Sequence, residues 1–265
     1  MKEQILSHLN AECPWRDTLH WYSKIDSTNA QASTLAKSGA PHGTVLIADT
    51  QTAGKGRMGR SFCSPAGMGV YLSAILRPNC TPDKLMHLTC AAAVAASAAI
   101  EKVSGIAPNI KWTNDLVIGR KKLGGILTEL GLDDHGTVSF AIIGIGINCC
   151  QRESDFPPEL QDMATSLAAI GSKSVTPAIL AAALTESLWQ MSQHLLTDKK
   201  ALIDAYRSRC MTVGQDVVLL QGESRAYGRA LDLDANGGLI VRFADGQVRT
   251  VTSGEISVRG MYGYI

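Results

Sequence analysis

Between Gln51 and Arg60 the chain reads Gln-Thr-Ala-Gly-Lys-Gly-Arg-Met-Gly-Arg, three glycines interleaved with three cations. An apolar run at 44–48, which reads as a strand, comes just before it. Any fold this chain adopts must leave the segment as a loop at a strand end, with backbone free to meet a ligand. Glycine lets the chain turn through positive φ and come close to a bound group. Successive exposed N–H groups then form an anion-binding nest, to which Lys55, Arg57 and Arg60 add full charges. The spacing is neither the Gly-Lys-Ser/Thr of a Walker A loop nor the GxGxxG of a dinucleotide fold. Alone, such a loop also suits a solvated turn or a nucleic-acid contact. The ligand expected here is a compact, highly charged anion such as a nucleotide phosphate.

Composition narrows the partners. A chain of 265 residues holds one large core plus a small second domain. The formal charge of +1 supplies no general basic surface, so nucleic acid is not expected as a partner. Seven cysteines with no CxxC pair read as reduced thiols, not a disulfide framework or a zinc site. The vicinal Cys149 and Cys150 read as packing after a buried strand. Residues 1–9 are mixed and polar, without the apolar stretch of a signal peptide. The longest apolar run, 90–96, is alanine-rich and far below the roughly 20 residues of a membrane span. The expectation is a soluble cytoplasmic protein that meets no membrane.

Periodicity and breakers give the elements in order. A short helix at most precedes Pro14, a strand is expected at 20–25, and a helix from near Asn29 to Gly39, capped by Asp26 or Ser27. A strand at 69–76 follows the glycine loop. Thr81-Pro82-Asp83 is a helix start, with a run of alanine and serine to about Val103 and a stop at Gly105. The strand 109–112 leads into Thr113-Asn114-Asp115, then a hairpin turns at Gly119-Arg120 and returns from Lys121 to Leu130. Lys121 and Lys122 are adjacent and so face opposite sides of that strand; Lys121 is expected in solvent. Gly124 and Gly125 weaken the strand and imply close backbone approach to a ligand. Residues 138–147 are apolar throughout, a buried central strand. Helices follow at 177–196 and 200–210. From Thr212 the chain turns to short β segments with hairpin turns at Asn236-Gly237-Gly238 and Asp245-Gly246.

Five motifs then stand in order: Asp26-Ser27-Thr28-Asn29, the glycine loop, Lys111-Trp112-Thr113-Asn114-Asp115, Lys122-Leu123-Gly124-Gly125-Ile126-Leu127 and Gly144-Ile145-Gly146-Ile147-Asn148. Together they resemble the biotin–protein ligases, enzymes that adenylate biotin and pass it to a lysine of a carrier protein. The resemblance extends more weakly to Ser253-Gly254-Glu255-Ile256-Ser257. Lys55, Phe62 and Thr113 depart from it, since the family usually carries Arg, Trp and Pro there.

The resemblance implies an α+β catalytic domain of the class II aminoacyl-tRNA synthetase-like type with a mixed sheet, residues 1–211, and a small SH3-like β barrel, residues 212–265. It implies biotin and ATP as substrates with Mg²⁺, and the biotin carboxyl carrier protein as partner, with homodimerisation left open. Ser27, Thr28, Asn29, Gln51, Gly54, Lys55, Gly56, Arg57, Lys122 and Gly125 would contact biotin. Arg57, Arg60, Phe62, Lys111, Asn114, Lys122 and Asn148 would contact ATP. Lys122, Arg57 and Asp115 would be catalytic, with Asp115 also in the metal environment. Some family members carry an N-terminal DNA-binding module; residues 1–19 give no room for the ~60 residues such a helical module takes, so repression is not expected. The rivals are a lipoate- or octanoate-transferring enzyme on a related fold and a non-catalytic sensor of biotin or nucleotide.

Overall fold

A computed structural model describes residues 1–222, 224–252 and 257–260. The first part carries a seven-stranded sheet built from β1 (Leu19–Tyr22), β2 (Thr44–Ala48), β3 (Gly69–Leu76), β4 (Asn109–Lys111), β5 (Asp115–Ile118), β6 (Lys121–Leu132) and β7 (Val138–Asn148). The order is β1-β2-β3-β7-β6-β5-β4, with β1 and β2 parallel and every other neighbour antiparallel. The sheet is mixed, as expected.

Alternation along the central strands feeds two cores. Val45, Ile47, Leu72, Ala74, Ile143 and Ile145 face one side, packed with α3 (Leu88–Ser104) and α4 (Pro177–His194). Leu46, Ile75, Phe140 and Ile142 face the other, under Ala32 and Ala36 of α2 (Thr28–Lys37). A side-chain period of two on a pleated strand produces this split. The alanine-rich face of α3 lets it lie close to α4, and a left-handed Gly105 ends it by donating its N–H to Glu101 O at 2.8 Å. Two short helices complete the set, α1 (Lys2–His8) and α5 (Lys199–Arg209).

Two expectations change here. Thr81-Pro82-Asp83 opens only a 3₁₀ turn, Pro82–Leu85, and the α-helix begins at Leu88. Thr81 makes no side-chain cap, so the proline start does not propagate into the α-helix. The segment Pro82–Ser104 is also long and apolar enough to cross a membrane by length and composition, but most of it is buried inside the fold, the usual position of a core helix.

The second sheet is antiparallel and five-stranded, in the order β11 (Val248–Val251), β10 (Leu239–Phe243), β9 (Ser224–Leu233), β8 (Asp216–Gln221), β12 (Ser257–Gly260). Val217, Leu219, Ala230, Leu239, Val241 and Val258 make its buried side, consistent with the small SH3-like unit expected. Residues 253–256 of the C-terminal motif lie outside the described residues. The unit joins the larger sheet through a hairpin turn, where Trp112 Nε1 donates to Gly237 O at 2.8 Å.

Candidate active site

A cavity of about 620 Å³ opens at the N-terminus of α2, between the glycine loop and the β5–β6 hairpin. The loop folds back on itself: Lys55 bridges Ser61, Gly56 N donates to Arg60 O at 2.7 Å, and Phe62 N donates to Gly54 O at 2.8 Å. Its tip, Arg57–Gly59, is a single 3₁₀ turn in which Met58 and Gly59 take positive φ. Lys55, Gly56, Arg57, Arg60 and Phe62 all reach the cavity wall.

One end of the cavity is polar and nearly uncharged. Ser27 caps α2, its hydroxyl accepting from Ala30 N, which decides between the two candidate caps. Gln51 reaches across from the end of β2: its Oε1 accepts from Thr28 N at 2.8 Å and from Thr28 Oγ1 at 3.1 Å, while Nε2 donates to Ser64 Oγ at 2.9 Å. Helix-terminal N–H groups, two hydroxyls and a fixed amide thus face one another across a small space.

The opposite end gathers charge. Lys122 Nζ lies 2.5 Å from Asp115 Oδ1, and both side chains are largely buried. Arg57 Nη1 donates to Asn114 Oδ1 at 2.9 Å and to Thr113 Oγ1 at 3.2 Å. Burial pulls the Arg57 pKa down, and the Asp115 carboxylate pushes it back up. Asn114 is held as an acceptor because its Nδ2 is committed to Ile126 O at 3.0 Å. Thr113 stands where a proline would fix the bend; the Trp112–Thr113 peptide bond is cis, and Tyr206 OH donates to Thr113 O at 3.0 Å. Lys111 is buried in the same wall. Among the described residues, five cations therefore border the cavity with one lining carboxylate, a field suited to a polyanion.

Residues 21–148 match the Biotin/lipoate A/B protein ligase family, and residues 212–259 match the Biotin protein ligase C terminal domain. Among curated proteins, the Bifunctional ligase/repressor BirA of Bacillus subtilis is 38% identical over 244 residues, covering 91% of this chain and 74% of that protein. The Biotin--[acetyl-CoA-carboxylase] ligase of Mycobacterium tuberculosis is 31% identical over 254 residues, 94% of this chain and 91% of that one. The chain belongs to the biotin protein ligase family. Its fold matches a biotin protein ligase from Aquifex aeolicus solved with biotin and ATP, with a TM-score of 0.77 and 30% identity, over 92% of this chain and 99% of that one.

Within this ligase fold, most of the residues singled out from sequence converge. Ser27, Thr28, Asn29, Gln51, Lys55, Gly56, Arg57, Arg60, Phe62, Lys111, Asn114, Asp115, Lys122 and Gly125 line the one cavity. Gly54 and Asn148 do not. A Cβ on Gly54 would meet Phe62 O at 2.5 Å and Ser64 Oγ at 2.8 Å, so this glycine lets the two arms of the loop close behind the wall. Asn148 is buried, donating to Thr165 O at 3.0 Å and accepting from Gln151 Nε2 at 3.3 Å, which spends its amide on holding the next loop. Lys121 points away from the cavity as expected, but is half-buried and not simply solvated. It pairs with Glu153 at 2.7 Å and donates to Gln161 O at 2.9 Å.

Sequence reading missed several wall residues. Trp112, Met58, Leu160 and Met163 line the cavity, and Val258 reaches it from the second sheet. Gly144 and Gly146 stood in a recognised motif, yet their purpose shows only in three dimensions. A Cβ on Gly146 would sit 2.6 Å from the Phe62 ring, and one on Gly144 would overlap the Asn29 amide. Two missing side chains on β7 make the space that Phe62 and Asn29 occupy.

Proposed function

We propose that this chain is an ATP-dependent biotin–protein ligase that makes biotinyl-5′-AMP and transfers biotin to a lysine of a biotin carboxyl carrier protein. The observation that carries the reading is one cavity with a neutral hydrogen-bonding end at Ser27, Thr28 and Gln51 and a cationic end at Lys122, Arg57 and Arg60. The ureido ring of biotin has N–H donors and a carbonyl acceptor for the first end. The dithiolane of lipoate has neither, so a lipoate-handling enzyme has no use for that polar set. Carboxylate and triphosphate suit the second end.

In the first step a biotin carboxylate oxygen bonds to the α-phosphorus of ATP, the bond to the bridging oxygen breaks, and pyrophosphate leaves. Negative charge grows on phosphoryl oxygens, and Lys122, Arg57 and Arg60 stand where fixed positive charge lowers that barrier. Asp115 holds the Lys122 ammonium in place. In the second step a carrier lysine amine attacks the mixed anhydride carbonyl and AMP departs. The glycine loop and Phe62 cover the intermediate against water.

Among the described residues no group of three or more His, Cys, Asp or Glu is arranged to hold a metal ion. Among the described residues Asp115 is the one carboxylate lining the cavity, and Lys122 pairs with it. Asp115 would be the protein oxygen for a Mg²⁺, which would neutralise phosphate charge during adenylation. We assign the catalytic unit to residues 1–211 and the C-terminal unit to 212–265, in the cytoplasm with the acceptor protein.

The test is ATP–pyrophosphate exchange. Exchange should require biotin and fail with lipoate or octanoate; equal rates with lipoate would overturn the assignment. A second reading, a non-catalytic sensor, predicts binding without exchange.

A further inference from the structure

Three lysines line the cavity among the described residues, and they differ in what holds the amine. Lys122 Nζ is tied to Asp115 Oδ1 at 2.5 Å. Lys111 is packed into the wall at 7% exposure. Lys55 is exposed, and among the described residues its amine makes neither an ion pair nor a hydrogen bond. Its stem is nonetheless fixed. Gly56 N donates to Arg60 O at 2.7 Å and Phe62 N donates to Gly54 O at 2.8 Å, so hairpin bonds on both sides hold the Lys55 backbone at the cavity wall. From that stem an extended lysine carries its amine about 6 Å. A fixed backbone and an uncommitted amine therefore share one cavity with whatever acyl group the site activates.

Charge alone does not need a lysine here. Arg57 and Arg60 are guanidiniums, which stay protonated in proteins and take no acyl group. The family's usual residue at the Lys55 position is likewise an arginine. A primary amine adds what a guanidinium withholds, a lone pair once its ammonium proton has gone to water. The ligase reaction sets a mixed anhydride in the same cavity. A side chain tethered beside its target is present at about millimolar effective concentration or above. Lys55 then meets the intermediate without a docking event, whereas a carrier lysine must first arrive from solution.

We propose that Lys55 is a second acyl acceptor: with no carrier lysine at hand, the chain biotinylates itself there and closes its own site. This acylation rests on the ligase reading. The free amine of Lys55 bonds to the carbonyl carbon of biotinyl-5′-AMP, and the bond from that carbon to the phosphate oxygen breaks. AMP leaves with the electron pair, and the nitrogen sheds a proton to water. The product is a secondary amide, so one cation is lost from the cavity border and the biotin stays tethered inside it. Lys55 is thereby both a modification site and a brake on adenylate made in excess of carrier.

In the experiment the full chain is incubated with biotin, ATP and Mg²⁺ beside an unrelated bystander protein, without carrier. The mixture is denatured, treated with hydroxylamine to cleave residual anhydride, and mapped by peptide mass spectrometry. One biotinyl group per chain should appear at Lys55, at a rate per chain that dilution leaves unchanged, with the bystander unlabelled. ATP–pyrophosphate exchange should fall in step with the fraction acylated. Lys55→Arg keeps the charge, removes the nucleophile and changes only an exposed side chain, so it should fold. It should lose the self-label, counted per pyrophosphate released. Label spread over other lysines, label on the bystander, a rate that falls on dilution, or full exchange by the acylated chain would each overturn the proposal. So would pyrophosphate release with no label on Lys55. Failure to release any pyrophosphate from ATP and biotin would instead overturn the ligase reading, and this inference with it.

Discussion

Arg57 Nη1 donates to Asn114 Oδ1 at 2.9 Å, a bond that latches the glycine-rich loop to the turn between β4 and β5. Three glycines and the repulsion among Lys55, Arg57 and Arg60 favour an open, high-entropy segment. The loop is instead a closed hairpin pinned at its tip. Arg57→Ala removes the latch and one of the phosphate-facing charges. A hydrogen bond to a charged group contributes about 1.5–3 kcal/mol, so biotinyl-AMP should leave about ten- to a hundred-fold faster. The variant should still make the adenylate and then label bystander lysines on an unrelated protein. Adenylate retained as in the unaltered enzyme would show that the latch does not gate release.

Lys122 and Lys121 provide a paired test on adjacent positions. Lys122 stands in the cavity beside Asp115, whereas Lys121 is tied to Glu153 and the Gln161 carbonyl outside it. Lys122→Ala should lose a charge that strengthens toward the transition state, about 3–4 kcal/mol, so single-turnover adenylation should fall about a hundred-fold or more. Lys121→Ala removes a partly exposed pair and should lower stability by under about 1 kcal/mol without slowing adenylation. Equal losses of rate in the two variants would refute the assignment of faces.

Gly146→Ala probes the space under Phe62. The added Cβ would stand 2.6 Å from the ring, which must swing away from a position set partly by its edge-to-face contact with Tyr71, 6.3 Å between centroids. Overpacking of this kind costs about 1–3 kcal/mol. The KM for ATP should rise more than the KM for biotin, since Phe62 covers the nucleotide end. A change confined to biotin would mean that Phe62 serves the other substrate.

The order of the motifs and the two-part architecture were legible because glycines, charges and turn residues mark loops wherever they fall. The β6 lysines were legible in direction, since adjacent strand residues must diverge. What was not legible depends on register. Nothing local in the sequence says that Ser73 pairs with Gly144, and without that pairing neither the buried serine nor the glycine has a purpose. Asn148 ends a recognised motif, yet its neighbours in space are Thr165 and Gln151, which only the path of the next loop brings near. Trp112 reads as a strand residue, but its indole answers to a turn about half the chain away.

That last contact yields a controlled test with two glycines of similar backbone conformation. Gly237 (φ +83°) and Gly246 (φ +81°) sit in two hairpin turns of the second sheet. A side chain at either position carries the left-handed penalty, about 1–2 kcal/mol. Their surroundings differ. A Cβ on Gly246 meets nothing within 4 Å, while one on Gly237 would stand 2.5 Å from Cys90 Sγ on α3 and 3.4 Å from Ile203 on α5. Gly237 also supplies the carbonyl that Trp112 Nε1 bonds at 2.8 Å, and Trp112 is part of the cavity wall. Gly246→Ala should shift the urea midpoint by the backbone term alone and leave activity intact. Gly237→Ala should add an overpacking cost of about 1–3 kcal/mol, lift the turn off α3, and raise the KM for ATP as Trp112 loses its anchor. Equal shifts in midpoint, with the KM for ATP unchanged in both, would show that the second sheet does not brace the nucleotide end of the site.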